Sequence, residues 1–263
     1  QILTSIKRIG FDEVVEDTIG ADISIFLIKE YLLKKPGMEF PLINSSCPAI
    51  IRLIQIRFPD LIPNIITIET PVEITARIAK TEVAKRKGID IKDIGVFFIT
   101  PCTARVTSIR NPLGITESYV NGAISIKDIY GEIVRNLGDN NNLIKGISTR
   151  ESILWPIAGG QASALGIENY LAVDGIHDVI KVLEEVELGK LEDIDFIECS
   201  ACTGGCVGGP LVIQNSFIAK NRLMKHAKKV DISKYTKEDL DRFIKMYEDG
   251  FIRLTEKIEP KSV

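Results

Sequence analysis

Cysteine is scarce in this chain of 263 residues: there are five, an odd number. That is too few for a secreted scaffold held by disulfides. It points to a reduced, cytoplasmic compartment in which cysteines are inert, reactive or metal ligands. Long apolar runs are missing too. Stretches such as Ile23–Ile28 and Val96–Ile99 fall far short of a membrane span, and no signal-peptide pattern is present. Nor does one sign of charge dominate. Lys and Arg number 33 against 36 Asp and Glu, a net charge of −3, with no sustained Lys/Arg stripe, so neither a nucleic-acid surface nor a polybasic membrane surface is expected. The two histidines, His177 and His226, sit in helical patterns without ligand-like neighbours.

What the chain does have is 45% hydrophobic and 26% charged residues, the balance of an ordinary globular domain with length enough for a real core. It opens on Gln1 without an initiator Met and runs at once into an amphipathic pattern, so it is expected to be a piece of something longer. Short β-branched runs alternate with helical periodicity, the α/β signature. Helices are expected near 21–34, 48–57, 71–87, 125–136, 175–188 and 214–228, and strands near 40–45, 94–100, 170–173 and 194–198. The 94–100 run is apolar without alternation, as for a parallel strand buried on both faces. Gly138–Asn142 reads as a polar seam between lobes. The last helix has Thr236 as cap with Asp239 reaching back, Tyr235 placed to staple Leu240, a stripe of Leu240, Phe243, Ile244 and Tyr247, and Gly250 as its stop.

The cysteines fall in a pattern. Cys47, Cys102 and Cys202 each follow an expected strand, and Cys206 lies in the same turn as Cys202. In open α/β sheets the carboxyl ends of strands face the ligand crevice, so four thiols from three segments can converge there. Four thiolates suit an iron–sulfur cubane. Singly, Cys47 or Cys102 reads as a small buried hydrophobe. The glycines of Cys202-Thr-Gly-Gly-Cys206-Val-Gly-Gly-Pro do not fit a packed core; they suggest close backbone approach to a bulky ligand, with N–H groups turned toward its sulfides. A four-cysteine zinc site competes, but it favours two closely spaced pairs where this chain has one. Cys199 reads as a core thiol.

These segments resemble the active-site domain of the FeFe-hydrogenases. Three signatures carry the resemblance: Ser45-Ser46-Cys47-Pro48, Pro101-Cys102-Thr103-Ala104-Arg105, and Glu198-Cys199-Ser200-Ala201-Cys202-Thr203-Gly204-Gly205-Cys206, with Trp155-Pro-Ile-Ala-Gly159-Gly160 between the last two. The resemblance implies an α/β fold of two similar lobes, mainly parallel sheets flanked by helices, with a metal cluster in the crevice between them. The whole of 1–263 would be one such domain, truncated at its N-terminus and at its C-terminus. Its first-lobe core would be about 40–137, its second-lobe core about 1–34 plus 143–229, and its C-terminal helix about 236–250.

The resemblance further implies that Cys47, Cys102, Cys202 and Cys206 hold a 4Fe-4S cluster. Cys206 would bridge to the diiron subcluster of the H-cluster, with its CO, cyanide and dithiolate ligands. Thr100, Pro101, Arg105, Trp155 and Ser200 would border the cofactor. Dihydrogen and protons would be substrates, a redox partner or downstream iron–sulfur and sensor modules would exchange electrons, and maturation proteins would insert the diiron unit. Departures matter as well. Ser46 stands where productive members have a proton-passing cysteine, Arg105 where they have lysine, and Ser108 where they have an acid. Thr100 and Ser200 replace methionines, and Val72 replaces a polar residue. With the Cys206-Val-Gly-Gly-Pro-Leu ending and the Asp174-Gly-Ile-His-Asp-Val segment, this set is most like the family's sensory branch. A non-catalytic carrier related to the cytosolic cluster-assembly proteins, and a fully active hydrogenase relaying protons through Ser46, are the alternatives.

Overall fold

The computed structural model describes residues 1–34, 41–138, 142–230 and 235–262. Eleven helices are described: α1 (Ile2–Ile9), α2 (Thr18–Lys34), α3 (Pro48–Arg57), α4 (Pro71–Lys87), α5 (Thr103–Arg110), α6 (Ile126–Arg135), α7 (Arg150–Leu154), α8 (Gly160–Leu165), α9 (Ile176–Glu187), α10 (Ser216–Ala227) and α11 (Lys237–Glu248). Five strands accompany them: β1 (Leu42–Ile43), β2 (Phe97–Thr100), β3 (Gly122–Ser125), β4 (Tyr170–Asp174) and β5 (Phe196–Ser200). The strands form two parallel sheets, one ordered β1-β5-β4 and one of β2 beside β3. This is the expected mixed α/β architecture, its parallel strands joined by helical crossovers.

Two cores hold it. One gathers Ile23, Ile28, Leu42, Ile74, Phe196 and Phe243. The other gathers Ile43, Ile50, Ile54, Val179, Leu183 and Ile197. β5 is buried along its whole length and sends alternate side chains into each: Phe196 into the first, Ile197 and Cys199 into the second. α9 contributes Val179, Leu183 and Val186 at the spacing its sequence showed. α2 is apolar nearly all round because both sides of it are covered. α11 carries the expected Thr236–Asp239 capping box, and Phe243 is its buried anchor.

Several expectations need correcting. The 94–100 strand is shorter and is not buried on both faces: Phe97 is 53% exposed, because the sheet it belongs to has only two strands. The 194–198 strand lies two residues later, so Cys199 is inside β5, buried as anticipated. Residues 40–45 contribute only Leu42–Ile43 (Phe40 lies outside the described residues), which pair with Phe196 and Ile197 of β5. Residues 139–141 of the expected seam also lie outside the described residues. No described helix is long and apolar enough to cross a membrane.

Candidate metal centre

Cys47 and Cys102 occupy equivalent places in two strand–turn–helix units. Cys47 follows β1 and is the N-cap of α3, with Pro48 in the first turn. Cys102 follows β2 and is the N-cap of α5, its Sγ accepting the Arg105 backbone N–H at 3.4 Å. A cysteine in this position lies beside the unpaired N–H groups of a helix's first turn. Thr100, fully buried at the end of β2, accepts the Cys102 N–H on its hydroxyl at 3.2 Å and so shapes that turn.

Cys202 and Cys206 lie in the turn that leaves β5, and this turn is sewn to its neighbours. Asp174, at the end of β4, accepts the Gly204 N–H at 2.6 Å. The Ala158 N–H donates to the Gly204 carbonyl at 3.1 Å, and Ile157 and Gly205 form an antiparallel bridge. The Leu211 N–H donates to the Pro101 carbonyl at 3.0 Å, tying this segment to the Cys102 turn. Two of the glycines are required by backbone packing. A Cβ on Gly205, where φ is +86°, would lie 2.6 Å from the Ala158 nitrogen, and one on Gly209 would lie 2.4 Å from the Pro101 oxygen. Backbone approaches backbone at these positions, and the approach brings the cysteine-bearing turns together.

The four thiols are electrostatic neighbours. Burial raises the Cys206 pKa to about 12, reinforced by Cys47, Cys102 and Cys202 and opposed by Arg105. The Cys202 pKa is raised by burial, then by Cys102 and Cys47. Cys206 is nevertheless open to solvent on one side, while Cys47, Cys102 and Cys202 are half-buried. Cysteine thiols carried on adjoining turns fit an iron–sulfur core, which takes thiolate ligands. Among the described residues no three His, Cys, Asp or Glu side chains are grouped to hold a single metal ion. A cubane asks for a wider spread, since each thiolate takes its own iron. Cys199 is turned away into the second core, with burial driving its pKa up.

The remaining candidates take distinct places. The Arg105 guanidinium donates to the Ser46 carbonyl at 2.6 Å and the Thr70 hydroxyl at 3.2 Å, bracing the loop before Cys47. The Ser46 side chain itself is half-buried. Ser108 donates to the Arg105 carbonyl, and Val72 packs with Ala76 and Val120. Ser200, 9% exposed, ends β5, and its carbonyl accepts the Gly175 N–H at 3.0 Å. Trp155 packs against the first core. His177 and His226 are both exposed on their helices.

Sequence reasoning missed two features. Glu198, quoted only as part of a motif, is buried, and its two carboxylate oxygens accept the Gly159 and Ala162 N–H groups at 3.0 and 2.9 Å, holding the 156–160 segment against β5. Burial raises its pKa to about 7 against the pull of those N–H donors. Glu69, also buried, pairs with Arg77 at 2.5 Å; burial raises the carboxyl pKa and Arg77 opposes the rise. A charged residue within an apolar neighbourhood was the available signal for both.

The family described as "Iron only hydrogenase large subunit, C-terminal domain" matches residues 1–143 and 160–210. The chain is 23% identical over 265 residues to the NADP-reducing hydrogenase subunit HndD of Solidesulfovibrio fructosivorans, covering 80% of this chain and 44% of that protein. It is 22% identical over 260 residues to a probable cytosolic Fe-S cluster assembly factor of Caenorhabditis elegans, covering 79% and 56%. It thus spans about half the length of these relatives. Its fold is similar to a solved structure of the [FeFe]-hydrogenase HydA1 of Chlamydomonas reinhardtii, with a TM-score of 0.72 and 17% identity over 99% of this chain and 87% of that one.

Proposed function

The chain belongs to the family of iron-only hydrogenase large subunits, by their C-terminal domain, and on that premise we propose that it binds an H-cluster and interconverts dihydrogen with protons and electrons at low turnover, in a sensory role. Cys47, Cys102, Cys202 and Cys206 would hold the 4Fe-4S part, with Cys206 shared with the diiron part. When bound, the diiron unit supplies the bond chemistry of dihydrogen. The observation that carries the reading is that cysteine-bearing turns follow β1, β2 and β5, with the Leu211 N–H bonded to the Pro101 carbonyl tying the Cys206 segment to the Cys102 turn, and with Cys206 exposed.

The chain's own residues favour slow turnover. Ser46 offers a hydroxyl where a thiol would pass protons faster, since a hydroxyl is far less acidic. Arg105 spends its fork on Ser46 and Thr70 and cannot release a proton. The organisation around Asp174, which clamps the Gly204 turn, belongs to the segment that resembles the sensory branch. The compartment consistent with this role is the cytoplasm.

A second reading is a 4Fe-4S carrier without the diiron unit, favoured by relatives named as cluster-assembly factors. Infrared spectroscopy separates the two. After anaerobic reconstitution with iron and sulfide and addition of a synthetic diiron precursor, the hydrogenase reading expects CO and cyanide bands, and their absence favours the carrier. Hydrogen turnover that rises in Ser46→Cys supports the limited relay; an unchanged rate removes Ser46 from the account.

A further inference from the structure

A carboxyl beside the cysteine turns is left half-bonded. Glu69 has no exposed side-chain surface, and the residue before it, Ile68, accepts the Ser45 hydroxyl on its carbonyl at 2.8 Å. Oε1 of Glu69 takes the Arg77 guanidinium at 2.5 Å; Oε2 is buried with no hydrogen-bond partner among the described residues. Glu73, in the first turn of α4, is the opposite case, its two oxygens accepting the Ser118 hydroxyl at 2.6 Å and the Tyr119 N–H at 2.8 Å. Both carboxyls line a narrow cavity of about 30 Å³, room for one water, together with Ser45, Thr70 and Arg105.

Arg105 joins this cavity to the thiols. Its guanidinium donates to the Ser46 carbonyl, next to Cys47, and its backbone N–H donates to the Cys102 sulfur. Charge added among the cysteines therefore reaches Glu69 across one residue and little solvent, where electrostatic coupling is strong. A buried oxygen without a donor accommodates a proton better than a negative charge. Burial raises the Glu69 pKa to about 8, opposed by Arg77 and reinforced by Glu73. Of the other charged groups nearby, Asp17 faces Arg105 and Glu73, and Lys80 faces Glu73. Burial raises Asp17 only to about 6, so Asp17 and Glu69 titrate in separate ranges.

We propose that Glu69 is a redox-linked proton site: when the cluster takes an electron from a one-electron reductant, Glu69 takes a proton from solvent, and both leave on reoxidation. The inference rests on the cluster assignment above. The electron reduces the iron–sulfur core, Oε2 gains an O–H bond, and no other bond changes. The new O–H has the cavity water or the Glu73 carboxylate to donate to. The proton offsets the added negative charge, so the reduced state is stabilised and its stability depends on pH. Uptake is confined to pH above about 8, because below that Glu69 already holds its proton while the cluster is oxidised.

The test is a potentiometric titration of the chain reconstituted with iron and sulfide, read by electron paramagnetic resonance with viologen mediators from about pH 6 to pH 10. The parent's midpoint should be level below about pH 8 and fall above it, the reduction constant losing up to tenfold per pH unit, which is about 59 mV. Glu69→Gln, neutral and of the same shape, should stay level throughout. Glu73→Gln removes a like charge and should move the onset of the slope to lower pH, which a merely structural role of Glu69 would not do. A parent midpoint level over the whole range, or equal slopes in the parent and Glu69→Gln, overturns the proposal. Infrared spectroscopy of the cluster-free chain gives a readout that needs no cluster: the difference between parent and Glu69→Gln should hold a protonated-carboxyl band that disappears as pH rises through about 8. If no cluster loads, the functional reading fails and the redox link with it; absence of that band removes the proton site itself.

Discussion

Replacing Glu198 by glutamine should make the stability of the chain respond to pH in a defined way. The folded structure holds the Glu198 carboxyl at a pKa of about 7, against 4.5 ordinarily, because burial disfavours its charge more than two N–H donors favour it. A carboxyl with a raised folded pKa binds its proton more tightly when folded. Its stabilising contribution is complete below pH 4.5 and is lost as pH rises through 7. At 1.36 kcal/mol per pKa unit, the loss is about 3 kcal/mol. Glutamine stays neutral throughout and sacrifices about 1 kcal/mol of hydrogen bonding at every pH. Asp17, Asp22 and Glu69 have pKa values raised by burial too, but they are the same in both proteins and cancel in the comparison. Urea unfolding of the cluster-free chain at pH 4.5 and pH 8 measures the effect. Relative to the parent, Glu198→Gln should gain about 3 kcal/mol between those two conditions. A difference that stays flat, or one of opposite sign, would show that the Gly159 and Ala162 donors keep Glu198 ionised and would refute the burial argument.

Gly205→Ala should cost more than an ordinary surface change, because the site combines a φ of +86° with a Cβ position 2.6 Å from the Ala158 nitrogen. About 2 kcal/mol or more of stability should disappear in a denaturant titration, and cluster uptake should fall with it as the Cys206 turn shifts. Arg77→Met should destabilise by about 1–3 kcal/mol at pH 8, since it leaves the buried Glu69 carboxyl, already pushed up to about 8 by burial, without its hydrogen-bond partner. The double variant with Glu69→Gln should recover most of that loss in the same unfolding assay. Recovery by less than half would mean that Arg77 acts instead through its stacking on Tyr119, whose ring lies 4.1 Å away.

The parts of the fold legible in the sequence were those whose side chains repeat with a clear period. α3 and α4 begin and end where their patterns did, each started by a proline, at Pro48 and Pro71. β3 was missed because Gly122-Ala-Ile-Ser is short and offers no run of β-branched residues; its partner β2 defines it. α5 was missed because Thr103, Val106, Thr107 and Ile109 read as strand formers, and its helix depends on the Cys102 cap. At the site, the reading of Cys199 as a core thiol agrees with its place in the second core. The backbone contacts of Gly205 and Gly209 were not legible, because which backbone lies against them is decided by long-range folding.

The central claim is that Cys47, Cys102, Cys202 and Cys206 together hold one 4Fe-4S cluster. Its most direct test is Mössbauer spectroscopy, with iron and sulfide quantification, of the anaerobically reconstituted chain and its five single Cys→Ser variants. The account predicts a 4Fe-4S signature with iron and sulfide to match in the parent and in Cys199→Ser, and a lost or degraded cluster in each of the other four. A cluster that survives removal of Cys102 or Cys47 yet disappears with Cys199 would contradict it.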